Sequence, residues 1–61
     1  MIDKFIRGHV KAFTNATDLG AFTKTPEDRR YVGAFTYMFS DGKWDWFKDK
    51  DSREYTQIPY R

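Results

Sequence analysis

The clearest pattern of apolar and polar positions lies in the second half of the chain. There, two aromatic runs, Tyr31 to Phe39 and Trp44 to Phe47, flank Ser40-Asp41-Gly42-Lys43. Asp-Gly between such runs predicts a β-hairpin closed by a two-residue turn, because both central residues of that turn need positive φ. With Asp41 and Gly42 as the loop, Phe39 faces Trp44, Tyr37 faces Trp46 and Thr36 faces Phe47. Alternation then places Phe35, Tyr37, Phe39, Trp44 and Trp46 on one aromatic face, with Thr36, Met38, Asp45 and Phe47 on the other. The aromatic face is read as core. A second reversal at Asp49-Lys50-Asp51-Ser52 leads into the strand-like run Arg53 to Ile58, ended by Pro59. This register sets Trp46 opposite Tyr55 and Phe47 opposite Glu54. It also sets Lys48 opposite Arg53, a like-charge pair that argues for a loop one residue different.

Upstream the pattern is less decided. Thr25-Pro26-Glu27-Asp28 has the composition of a helix start, with a capping Thr, Pro at the first helical position and acids near the positive end of the dipole. The β-branched and aromatic run that follows limits it to one helical turn near residues 26–30. In residues 2–14, Ile2, Phe5, Ile6, His9, Val10 and Phe13 form a stripe at helical spacing, with Asp3, Lys4, Arg7 and Lys11 opposite. Gly8, the weak helix formers and the ending Thr14-Asn15-Ala16-Thr17 oppose that helix and favour a strand. Ala-Phe-Thr recurs at 12–14, 21–23 and 34–36, at unequal spacings that do not make a solenoid repeat. The fold expected is mostly β, a small five-stranded antiparallel sheet curled into an open barrel. The alternative is α+β, an N-terminal helix on a three-stranded antiparallel meander.

Composition sharpens this picture. Sixty-one residues make a single domain, 1–61, at the low end of what one hydrophobic core supports. With no cysteine, neither a disulfide nor a thiolate metal site can staple it. The Ile, Val and Leu residues are few, so the two Trp, four Tyr and six Phe must carry the core. No apolar run reaches the roughly 18 residues of a membrane span, and no signal-peptide layout opens the chain, which points to a cytoplasmic protein without membrane contact. On that expectation the glycosylation pattern Asn15-Ala16-Thr17 is coincidental. The net charge of +2 is unevenly placed: residues 1–24 hold four Lys/Arg against two Asp, and residues 25–61 hold seven of each sign.

The chemistry available argues against an enzyme. His9 is the only histidine, no thiol exists, and Ser40 and Ser52 sit in or beside expected turns, so no nucleophile–base triad can be written. Asp41, Asp49 and Asp51 stand where turns favour Asp. The stretch from Asp49 to Glu54 lacks the glycine and distant Glu of a calcium loop, and dispersed glycines give no phosphate loop. No metal and no cofactor is assigned. The function expected is a small non-enzymatic binding protein that regulates or inhibits a larger complex through protein–protein contact. Tyr31, Tyr60, Arg7 and Lys11 would meet the protein partner, with sheet edges open to a partner strand. The alternative is a single-stranded nucleic-acid binder. In it Phe5, Arg7, His9, Lys11 and Phe13 line one face of a strand, the basic residues holding phosphate and the rings stacking bases.

Overall fold

A computed structural model describes residues 4–61; Ile2 of the helical stripe and Asp3 of its opposite side lie outside the described residues. The described residues form one helix, α1 (His9–Asp18), a 3-10 turn (Val32–Ala34), and three strands, β1 (Phe35–Ser40), β2 (Trp44–Asp49) and β3 (Tyr55–Pro59). The strands form an antiparallel meander in the order β1-β2-β3. The sheet therefore has three strands rather than five. Of the two architectures expected, the helix on a meander matches better.

The helix begins later than the stripe suggested. Gly8 takes φ 102° at its N-terminus, a left-handed value that interrupts any regular element through residues 2–14. Phe5 instead pairs with Ser40 as an isolated antiparallel bridge, exchanging N–H···O bonds of 2.8 and 2.7 Å along the edge of β1. Inside α1 the buried positions are Ala12, Asn15 and Ala16, spaced three and four apart. Val10, a member of the expected stripe, is 80% exposed. The small alanines let the helix backbone approach the sheet, and Phe13 and Leu19 close the gap at its sides. Gly20, at φ 78°, ends the helix; Gly20 N–H donates to the Thr17 carbonyl and Ala21 N–H to the Ala16 carbonyl, the pair of bonds of a Schellman stop.

Residues 26–30 form turns, with Asp28 N–H donating to the Thr25 carbonyl and Tyr31 N–H to the Asp28 carbonyl. The helical turn comes later, at Val32–Ala34. The segment is held by Phe22, which is buried and stacks on Phe35 with centroids 4.3 Å apart, while the Arg30 guanidinium lies 5.3 Å from both ring centroids.

Both hairpins exist, with shifted registers. At the first, Asp41 N–H donates to the Trp44 carbonyl, which leaves Gly42 and Lys43 at the tip. Glycine with φ 89° at the first tip position suits a type II′ turn rather than the type I′ turn read from Asp-Gly. Ser40 thus faces Asp45, and Phe39 faces Trp46. A bulge at Met38 shifts the ladder again, so that Tyr37 faces Phe47 and Phe35 faces Asp49. The second hairpin pairs Lys48 with Tyr55 and Trp46 with Gln57, which separates Lys48 from Arg53 and carries Arg53 to φ 66° in the loop.

These shifts exchange the faces expected of β2. Phe47 and Asp45 point into the core with Phe35, Tyr37 and Ile58, against the helix. Trp44 and Trp46 point the other way and are only half-buried. The core centres on Phe47, whose ring meets Phe13 at 5.0 Å, Phe22 at 4.9 Å and Tyr37 at 5.6 Å.

Gly42→Val tests the tip. The positive φ there disfavours a β-branched side chain, and a loss of about 1 kcal/mol or more is expected in thermal or urea unfolding. Unchanged stability would rule out a strained φ at residue 42.

Candidate functional site

Two surfaces had to be distinguished, the basic stripe and the sheet. The stripe is dispersed. Phe13 packs against the core and Phe5 is held at the β1 edge, while His9 sits edge-on to Tyr37 with centroids 5.6 Å apart. Lys11 stays exposed on the outer side of α1.

Arg7 is not a free surface cation. Its guanidinium bonds Asp45 Oδ2 at 2.5 Å and the Arg61 carbonyl, and it covers the Tyr60 ring at 4.2 Å from the centroid. Asp45 is fully buried. Its carboxylate also accepts from Asn15 Nδ2 at 3.0 Å and from Ser40 Oγ at 2.5 Å. Because Ser40 donates to Asp45, the 2.6 Å contact between Ser40 Oγ and Tyr37 is donated by the tyrosine. Tyr37 Oη in turn accepts from the Arg7 backbone N–H at 3.1 Å. This chain joins the N-terminal segment, the helix and two strands, and every polar group in it has a partner. Its chemistry is structural. Asn15, buried here and also donating to the Pro59 carbonyl at 2.9 Å, cannot present a glycosylation site on this fold.

Tyr31 and Tyr60 are likewise engaged. The Tyr31 ring lies so close over Gly33 that a Cβ there would sit 2.4 Å from it. Tyr60 is held between Arg7 and Phe5, its centroid 5.7 Å from that of Phe5.

The sheet edges offer little to a partner strand. Asp49 N–H donates to the Glu54 carbonyl and Tyr60 N–H to the Lys43 carbonyl, so Glu54, Thr56, Ile58 and Tyr60 turn their backbone groups toward β2. Only Tyr55 and Gln57 face outward with an N–H, since Pro59 has none and its carbonyl is taken by Asn15. On the other edge, Phe5 occupies Ser40. Both edges are short and blunted.

What remains is the face of the sheet opposite α1, on which no other element packs among the described residues. Each strand contributes one aromatic ring to a row across it. Phe39 and Trp46 are stacked at 5.8 Å and 25°, and Trp46 meets Tyr55 edge-on at 6.2 Å. Tyr55 is half-exposed. Lys4 Nζ lies 4.7 Å from the Phe39 centroid and Lys48 Nζ 5.5 Å from that of Tyr55, so the row has an ammonium at each end. Lys4, Phe39, Asp41, Trp46 and Tyr55 line a shallow groove of about 350 Å³. Beside it, Lys48, Lys50 and Arg53 gather with Thr36, Met38 and Asp49 around a second hollow of about 300 Å³.

The two acids of this region are tied into turns. Asp41 accepts from Trp46 Nε1 at 3.1 Å, Trp44 N–H at 2.8 Å and Lys43 N–H at 3.0 Å, and these donors hold its carboxyl below the ordinary 3.8. Asp49 is lowered in the same way by the Ser52 and Asp51 N–H groups. Since both folded values are depressed, their contribution to the turns is present above the ordinary aspartate range and is lost as the pH falls through the lowered values.

The aromatic row was partly visible in the sequence, where Trp46 and Tyr55 already fall on one face. Lys4 and Lys48 carried no signal there, because their place at the ends of the row depends on the Phe5–Ser40 bridge and on the β2–β3 register. Among the described residues, no group of three or more His, Asp or Glu side chains is placed to hold a metal ion, and no helix is long and apolar enough to cross a membrane. Comparison with protein-family models, with curated proteins and with solved structures finds no match to this chain.

Proposed function

We propose that this chain is a non-enzymatic binding module that docks its partner on the open face of the sheet. The observation that carries this reading is the row Phe39–Trp46–Tyr55, uncovered among the described residues, with Lys4 and Lys48 at its ends. Half-buried aromatics that no core requires are the side chains binding surfaces use as anchors. The blunted edges support face docking over strand addition, and the intramolecular contacts of Arg7, Tyr31 and Tyr60 favour the row over these three expected residues as the first place of contact. A regulatory or inhibitory role follows if the docked face occupies a surface that a larger complex needs.

The test is a photo-crosslinking amino acid at Thr36, on the open face, or at Glu27, in the turns before the 3-10 turn, in the cells that make the protein. Discrete adducts from position 36 and none from 27 are the expected result. Equal yields from both positions, or none from either, would remove the open face as the docking surface.

A further inference from the structure

From the charge and ring geometry of the same face we infer that its occupant is single-stranded nucleic acid. This rests on the open face being the docking surface. Four cations, Lys4, Lys48, Lys50 and Arg53, border the two hollows of the row. The carboxylates beside them, Asp41 and Asp49, stay ionised and offset two of the four charges, which leaves a net +2 around the two hollows. The face is thus complementary to a polyanion. Its apolar side chains include four rings, Phe39, Trp44, Trp46 and Tyr55, and the half-buried Met38, with no Ile, Val or Leu among them.

A shallow, cation-bordered aromatic row suits planar groups joined by a charged backbone. Bases stack on exposed rings whatever their sequence, and phosphates meet the surrounding ammonium and guanidinium groups. A duplex keeps its bases stacked internally and cannot use the row. Glu54 lines a further hollow with Asp49 and with Tyr55 of the row, and there Arg29 and Arg30 stand beside the two acids.

The experiment titrates the chain with a mixed-sequence 12-nucleotide DNA strand, following tryptophan fluorescence from Trp44 and Trp46, with heparin as a polyanion that lacks bases. Four phosphate contacts at about 0.7 each predict a log–log salt slope near −3. Tyr55→Ala should weaken binding roughly ten- to hundred-fold, the cost of one lost stacking partner, without changing the circular dichroism. Lys48→Gln with Arg53→Gln should halve the slope. Lys11→Gln, on the helix, should leave affinity and slope as they are.

Absence of quenching by DNA at low salt would overturn the inference. So would binding that Tyr55→Ala leaves intact and heparin matches, since charge alone would then account for it. The adducts formed from position 36 separate this failure from that of the docking face itself. Nuclease-sensitive adducts support a nucleic-acid occupant, whereas nuclease-resistant ones retain the face and replace its occupant with a protein.

Discussion

Phe47→Ala is expected to cost about 3–5 kcal/mol, measured by urea or thermal unfolding, because it empties a fully buried site whose ring touches Phe13, Phe22 and Tyr37. A domain of this length has a total stability of roughly 3–9 kcal/mol at 0.05–0.15 kcal/mol per residue. The variant should therefore lose about a third or more of the domain's stability. Trp46→Ala is the informative partner experiment. Trp46 lies on the open face, half-buried, and donates its indole N–H to a solvated carboxylate, so its removal opens no cavity under the helix. It should cost less than half as much. Reversal of that order would mean that the faces of β2 are those read from the Asp-Gly turn.

Asp45→Leu should be comparably damaging by a different route. It leaves the Arg7 guanidinium without its carboxylate in a nearly closed site, and it strips an acceptor from Asn15 and Ser40. Removing one member of a buried ion pair costs about 3–5 kcal/mol, whereas replacing both members by apolar groups is often close to neutral. Adding Arg7→Met to the Asp45→Leu chain should therefore restore part of the loss, giving a strong non-additivity in the double-mutant cycle. Additive effects, or a single Asp45→Leu variant within 1 kcal/mol of the parent in urea unfolding, would show that the pair is not a structural element.

The contrast between these two variants explains how much could be read from the sequence. The hairpins were legible because Asp41-Gly42 and the polar cluster at 49–52 are local signals, and a turn needs little beyond its own residues. Strand β3 kept its alignment with β2 although its register moved, because the shift from Trp46–Tyr55 to Trp46–Gln57 is two residues and preserves the alternation, so its faces were exchanged together with those of β2: Ile58 is buried and Tyr55 exposed. The faces of β2 relative to β1 were not legible. Both sides of the hairpin are aromatic, so the apolar pattern does not choose between Trp46 and Phe47, and Asp45 beside Phe47 argues for the wrong side. What decides is Arg7, thirty-eight positions away, which makes a buried carboxylate tolerable. A helix start at Gly8 was hidden for a similar reason. Phe5 and Ile6 read as helical positions until the bridge to Ser40 claims the first of them, while Ile6 remains exposed.

The site followed the same division. Its rings were visible on one face but read as core, and the cations expected to bind, Arg7 and Lys11, were set beside Phe5 and Phe13 rather than beside this row. Lys4 reaches the row through the edge bridge and Lys48 through the strand register, and neither contact is encoded by neighbours in the chain.

Met38 gives strand β1 a particular relation to changes of length. Tyr37 and Ser40 are three residues apart, yet both are buried on the same side, since Met38 has no partner across the ladder. Of the six residues in the strand, it is the one whose deletion would leave every other side chain of the strand on its present face. A second residue inserted beside it would do the opposite, sending Phe39 beneath the helix and Ser40 into solvent, away from Asp45. The tolerance of this strand to insertion and deletion is therefore asymmetric, and it is concentrated at a single position.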